Sequence, residues 1–219
     1  MARFDDLDAH LRQQAALEEA RQETQQRLLI AARNSPEMDE LLKGSFDVLT
    51  DWYKIIQPRT DLAVVLKAKE ESKPSKVLTE DHYKYRANLI PKRNFPYPID
   101  DEVDNFYQSG EITYFDWNPN VALQFTTRMT GHYDKKGLIK DISAGVHMLS
   151  WGTLPRGQGD LLPEGLYVEN KDLGWNKYGT LITISGDLAN PTKTHDNVAA
   201  ALTMITPNVL KHKEIIRGR

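Results

Sequence analysis

The chain is 219 residues long, which is enough for one domain with an appendage or for two small domains with a real core. It contains no cysteine, which excludes thiol catalysis, cysteine-ligated zinc and iron–sulfur clusters and leaves histidine and carboxylates as the metal-ligating side chains. A formal net charge of −3 argues against a generic nucleic-acid coat, and no stretch approaches the ~18 apolar residues of a membrane span.

The acidic start, with no apolar run behind it, predicts no secretory signal and no membrane insertion, hence a protein that stays soluble where it is made. Charge is uneven along the chain: residues 1–50 hold six Lys/Arg against ten Asp/Glu, whereas residues 66–93 hold eight against four. An acidic arm followed by a basic segment can pair within an assembly, and solvated surface charge explains the same pattern.

Residues 4–33 are rich in Ala, Leu, Glu, Gln and Arg and lack Gly and Pro, which predicts a helix. Asp5, Asp6 and Asp8 complement the helix dipole at its start. The spacings Asp8 to Arg12 and Glu23 to Arg27 predict i,i+4 pairs on an exposed face. Phe4, Leu7 and Leu11 recur at 3–4 spacing, the pattern thins through Ala15, Leu17 and Ala20, and Leu28, Leu29 and Ile30 restore an apolar end. So narrow a stripe suits a helix lying against copies of itself, with Phe4, Leu7, Leu11 and Leu28 as oligomer or docking contacts. Gln14, Glu18 and Gln25 break the heptad, so a single helix packed on its own body stays an equal reading.

Asn34-Ser35-Pro36-Glu37 reads as a stop and a new start, with Ser35 as N-cap and Pro36 in the first turn. The second helix runs to about Lys43, and two readings stay open beyond it: an end at Gly44-Ser45, or continuation to Pro58. Residues 62–66 are a short apolar run of strand length, with a buried helical turn as an equal reading. Residues 67–76 are the best linker, and Pro91, Pro96 and Pro98 impose an extended path after it. The expected domains are a helical arm over 1–66, a charged and Pro-rich extended linker over 67–110, and an antiparallel β domain over 111–219.

In that last part the period becomes strand-like. Candidate strands are 111–117, 121–130, 138–141, 146–151, 165–169 and 180–185, with 198–206 and 214–217 less regular; turn residues such as Asn118-Pro119-Asn120 and Asp134-Lys135-Lys136-Gly137 separate them. The fold class expected is α+β: a helical, coiled-coil-capable arm followed by a mostly antiparallel β body, either a sandwich or a compact sheet.

Chemical motifs are sparse. Arg156-Gly157-Gln158-Gly159-Asp160 lacks the third glycine of a phosphate loop and reads as a turn. The six histidines, His10, His82, His132, His147, His195 and His212, show no metal-ligand spacing. Asp100, Asp101, Glu102 and Asp104 are the densest acidic cluster but lack the alternation of a calcium loop. No GxSxG element is present. No catalytic residue, cofactor or metal is therefore assigned, and the chain reads as a non-enzyme. Tyr83, Tyr85 and Arg86, with Lys92 and Arg93 behind them, interleave aromatics and cations and suit either a subunit contact or nucleic acid.

Three stretches carry a family likeness. Asp141-Ile142-Ser143-Ala144-Gly145-Val146-His147-Met148-Leu149 leads to Leu162-Pro163-Glu164-Gly165-Leu166-Tyr167-Val168, then to Gly174-Trp175-Asn176-Lys177-Tyr178-Gly179-Thr180-Leu181-Ile182-Thr183-Ile184, and Ile215-Ile216-Arg217 follows. Over about a third of the chain this order resembles the small β knob of phage tail fibres and pyocin fibres, although 198–205 is Ala-rich and open to a helical reading and the closing Trp of such knobs is missing.

The resemblance implies a virion structural protein assembled in the host cytoplasm. Its implied partners are itself, with a trimer favoured, other virion proteins, and a host-surface glycan or protein. Trp151, Tyr167, Trp175 and Tyr178 are then candidate surface aromatics. The alternatives are a nucleic-acid-associated protein using 66–93 and a carbohydrate-acting enzyme with paired carboxylates in a cleft.

Overall fold

The computed structural model describes residues 5–67, 71–76, 79–91, 121–154, 162–172 and 178–212. Helix α1 (Asp5–Arg33) and helix α2 (Pro36–Ile56) are followed by a 3-10 turn and strands β1 (Leu62–Lys67), β2 (Glu71–Lys76), β3 (Thr79–Pro91), β4 (Leu123–Tyr133), β5 (Ile139–Trp151), β6 (Leu166–Asp172) and β7 (Tyr178–Ser185). Helix α3 (Pro191–Leu210) completes the order.

The expected junction between the first two helices is present: Met38 N–H donates to Ser35 Oγ at 3.2 Å, with Pro36 at the start of α2. Gly44 and Ser45 do not end α2. Leu41, Leu42, Leu49 and Ile56 all face the core at helical spacing, and Ser45 satisfies its buried hydroxyl by donating to Leu41 O at 2.7 Å. Burying that stripe outweighs the ~1 kcal/mol helix penalty of one glycine.

The strands form one seven-stranded antiparallel sheet in the order β1-β3-β4-β5-β7-β6. β2 also pairs with β3, so β1 and β2 share one edge of that long strand, β1 at its C-terminal half and β2 at its N-terminal half. The architecture is α+β in two layers, with the described helices on one face. Leu89, Leu123, Phe125, Val146, Met148, Leu166, Ile182 and Ile184 point from the sheet into a core closed by Leu49 and Ile56 of α2 and Val198, Leu202 and Ile205 of α3.

A smaller cluster of Leu29, Met38, Leu41, Leu42 and Met129 seats the C-terminal end of α1. α2 and α3 are joined by the Trp52 indole N–H donating to Thr206 Oγ1 at 2.9 Å and by His195 Nε2 at 3.3 Å from Leu41 O. A Cβ at Gly44 would meet the His195 ring, so the helices approach there only because that side chain is absent.

Several expectations are corrected. Residues 198–206, open between strand and helix from the sequence, are the middle of α3, because Val198, Ala201, Leu202 and Ile205 recur at helical spacing and cover the sheet. Asn190-Pro191, read as a turn, is a helix start, with Lys193 N–H donating to Asn190 Oδ1. Much of the expected linker 67–110 is structured: β2 and β3 lie in it, and Ala87 and Leu89 are fully buried where β3 crosses the core. The sandwich alternative gives way, among the described residues, to one sheet covered by helices. The candidate strands 111–117 and 214–217 lie outside the described residues, as does the cluster Asp100, Asp101, Glu102 and Asp104.

Candidate binding surfaces

Two surfaces stand out. The first is α1. At 29 residues it extends about 43 Å, and the body holds it near its C-terminal end. Ile139 N–H donates to Gln25 Oε1 at 2.7 Å, and Leu29, 5% exposed, enters the small cluster. Upstream, Leu11 is 53% and Leu17 61% exposed, and Leu28 and Ile30 are half exposed beside the anchored Leu29. Leu11, Gln14, Ala15, Leu17, Glu18 and Arg21 line a shallow groove. Of the predicted docking contacts, Leu11 and Leu28 are thus open to solvent, Leu7 is described only as helical backbone, and Phe4 lies outside the described residues.

The second surface is the sheet face turned away from the helices, and it depends on an irregularity in β3. Pairing with β4 runs Tyr83↔Arg128 and then Arg86↔Thr126, so β3 spends one extra residue. Regular alternation would put Tyr83 and Arg86 on opposite faces. The bulge instead puts both on the polar face, with the Arg86 guanidinium 4.2 Å from the centre of the Tyr83 ring.

The two residues inside the bulge turn towards the helices. Lys84 pairs with Asp39 of α2, and Tyr85 stacks on Phe46 at 5.2 Å. Thr127 closes the bulge: fully buried, its hydroxyl oxygen accepts from Tyr85 N–H at 3.0 Å and donates to Tyr85 O at 3.3 Å.

The predicted patch Tyr83, Tyr85, Arg86 and Arg93 is therefore divided. Tyr83 and Arg86 stay together on the face away from the helices, Tyr85 is half-buried on the helix side against the smaller cluster, and Arg93 lies outside the described residues. Trp175 also lies outside them, and Tyr178 is described only as strand backbone. Trp151, a candidate surface aromatic, is buried at 5% exposure, whereas Tyr167 is open at 61%.

The structure adds residues that sequence reasoning missed. Asp81, 2% exposed, accepts from Thr130 Oγ1 at 2.6 Å and lies 3.5 Å from Arg128 Nη1, with the Tyr83 hydroxyl 3.4 Å away. Burial and the neighbouring Asp81 push the Tyr83 hydroxyl above its ordinary pKa. One strand further, burial and then the Arg128 charge lower the His147 pKa to about 4, so its imidazole is neutral at pH 7. Its Nδ1 lies 3.5 Å from Thr183 Oγ1.

A third feature is a cleft of about 390 Å³ between the ends of β5 and β7 and the start of α3. Lys193 and Glu164 pair across it at 2.7 Å, which lowers the carboxyl pKa and raises that of the amine. Asn197 Nδ2 donates to Glu164 O at 2.9 Å, fixing the strand-to-helix approach. Among the described residues no group of His, Asp or Glu is placed to hold a metal ion, and no helix is long and apolar enough to cross a membrane.

Fold and surfaces together define a two-layer α+β protein with an arm-like helix. No family model, curated protein or solved structure matches the chain.

Proposed function

We propose that this chain is a structural assembly protein, a virion component of the fibre, collar or baseplate type from a tailed phage, that docks through α1 and presents its sheet to subunits or a host surface. The observation that carries the docking part is the state of α1. It is a long, polar helix anchored at Gln25 and Leu29, with Leu11, Leu17, Leu28 and Ile30 exposed.

A helix that is polar on nearly all sides and free of tertiary packing over most of its length gains little from its own propensity, so a partner surface is the physical reason to keep it. The virion part is supported by the likeness of 141–184 to fibre knobs, whose three stretches run through β5, β6 and β7, neighbours in the sheet in the order β5-β7-β6.

The test compares the native mass of the full chain, by light scattering on a sizing column, with that of a chain starting at Glu23, which keeps the anchoring residues. A trimer or larger assembly that becomes monomeric on truncation is the expected result. Two monomers would remove self-docking, and two identical oligomers would move the interface away from α1.

A further inference from the structure

The cleft of about 390 Å³ lies where the ends of β5 and β7 meet the residues leading into β6 and the first turns of α3. Backbone bonds hold these segments together. Gly186 N–H donates to Ala144 O at 2.8 Å, and Ser185 N–H donates to Gly165 O at 2.8 Å. Gly165, at φ +86°, turns the chain into β6 through a conformation that other residues rarely adopt. The fully buried Thr194 hydroxyl accepts from Asp187 N–H at 2.9 Å and ties the segment after β7 to α3. The cleft is thus built on fixed backbone, while its rim is open: Glu164, Ser185 and Tyr167 are all exposed.

The fold leaves several polar atoms here without a partner. Asp187 Oδ1 accepts from Ala189 N–H and Asn190 N–H at 3.1 Å each, and nothing among the described residues bonds to Oδ2. Asn197 is 4% exposed; its Nδ2 donates to Glu164 O at 2.9 Å, and its Oδ1 remains an acceptor with no donor. Glu164 meets Lys193 through Oε2, so its Oε1 and the remaining ammonium N–H bonds are available. Tyr167, 61% exposed, adds a flat aromatic wall beside them.

This mixture selects a chemistry. One ammonium lies among two carboxylates, which disfavours a simple anion, and no group of described His, Asp or Glu residues is placed to hold a metal ion. Unpaired acceptors beside donors suit hydroxyls, which do both, and the tyrosine ring suits a face of C–H bonds. A pyranose carries both on one small ring. We propose that this cleft binds a neutral sugar, its ring against Tyr167 and its hydroxyls on Asp187, Asn197, Glu164 and Lys193. The volume is at the small end of ligand pockets and admits a short saccharide. The Glu164 and Lys193 side chains are 88% and 40% exposed, so turning their pair towards hydroxyls costs little. The inference goes beyond docking through α1, with which the cleft shares no residue. A chain that is monomeric by light scattering yet binds sugar keeps this inference and loses self-docking, and an oligomer without sugar binding does the reverse.

The test is saturation-transfer difference NMR of the full-length chain with the methyl pyranosides of glucose, galactose and N-acetylglucosamine. One pyranose at the efficiency usual for small ligands gives a Kd on the order of 1 mM, so each sugar is titrated to about 10 mM. Transfer to the ring protons of at least one sugar is expected. Tyr167→Ala and Asp187→Asn should each raise its Kd at least about threefold. Lys43→Gln, on the exposed side of α2, should leave it unchanged. Circular dichroism of each variant shows whether the fold is kept, and Tyr167, being exposed, is the variant least able to disturb it. Absence of transfer to all three sugars, or transfer indifferent to both Tyr167→Ala and Asp187→Asn, overturns the proposal. So does binding of inorganic sulfate that depends on Lys193 with no affinity for the sugars, which would make this an anion site.

Discussion

Replacing Thr127 by valine keeps side-chain volume and shape but deletes the hydroxyl that closes the β3 bulge. In the native sheet that oxygen, fully buried, accepts from Tyr85 N–H at 3.0 Å and donates to Tyr85 O at 3.3 Å. Valine leaves a buried amide without its acceptor, which costs about 1–3 kcal/mol. For a chain of this size each kcal/mol lowers the midpoint by about 2–4 °C. Thr127→Ser keeps the hydroxyl and loses one methyl, about 1 kcal/mol. The expected order of stability in urea is therefore wild type, then serine, then valine, with the slope m unchanged. Hydrogen exchange supplies a local readout, since the Tyr85 amide should lose protection in the valine variant and keep it in the serine variant. If the valine variant is as stable as wild type and its Tyr85 amide stays protected, the threonine does not hold the bulge, and the reason given for Tyr83 and Arg86 sharing a face fails.

Three further outcomes are expected. Because the folded pKa of His147 lies near 4, below the ordinary value of about 6.5, the unfolded chain takes up the proton first as pH falls. Its contribution is fully present above about pH 6.5 and is lost between there and pH 4, on the order of 3 kcal/mol, and His147→Gln should flatten stability over that window in urea titrations at pH 7, 5.5 and 4.5. Gly44→Ala should destabilise although alanine is the better helix former by ~1 kcal/mol, because its Cβ meets the His195 ring, and the double variant with His195→Ala should recover stability in a thermal cycle. Trp52→Phe removes the indole donor to Thr206 at 2.9 Å and should cost about 1 kcal/mol in chemical denaturation, the half-buried Thr206 hydroxyl keeping its own bond to Leu202 O at 2.7 Å.

How far the sequence could be read depended on whether a signal was local. Composition marked α1, and Ser35-Pro36 marked the start of α2, because caps and propensity act within a few residues. Strands β4, β6 and β7 followed from alternation between turn residues, whereas β5 was read as two strands, 138–141 and 146–151, that the structure joins into one. α3 stayed open between strand and helix because 198–206 is mostly apolar and short, where period alone does not separate a buried strand from a helix. Asn190-Pro191 carried the deciding cap signal but also fits a turn. β3 was hidden by its charge: Glu80, Asp81, Lys84 and Arg86 look like a linker, and only the sheet shows that Asp81 is neutralised and Lys84 paired. The grouping of Tyr83 and Arg86 on one face was not legible, since it is made by sheet register and one bulge, neither of which has a sequence signature here.

The Trp52–Thr206 bond joins residues 154 positions apart, and the core between α2 and α3 has the same reach. On a ribosome, the apolar side of the sheet is complete in sequence only when β7 ends at Ser185, and the helix that seals it, starting at Pro191, is made directly afterwards. Until α3 emerges, Phe125, Met148, Ile182 and Ile184 form an adhesive slab with only half its lid, a state prone to clumping with other nascent chains. A chain cut off before α3 should accordingly give less soluble protein, and factors that shelter unfinished chains should offset part of that loss.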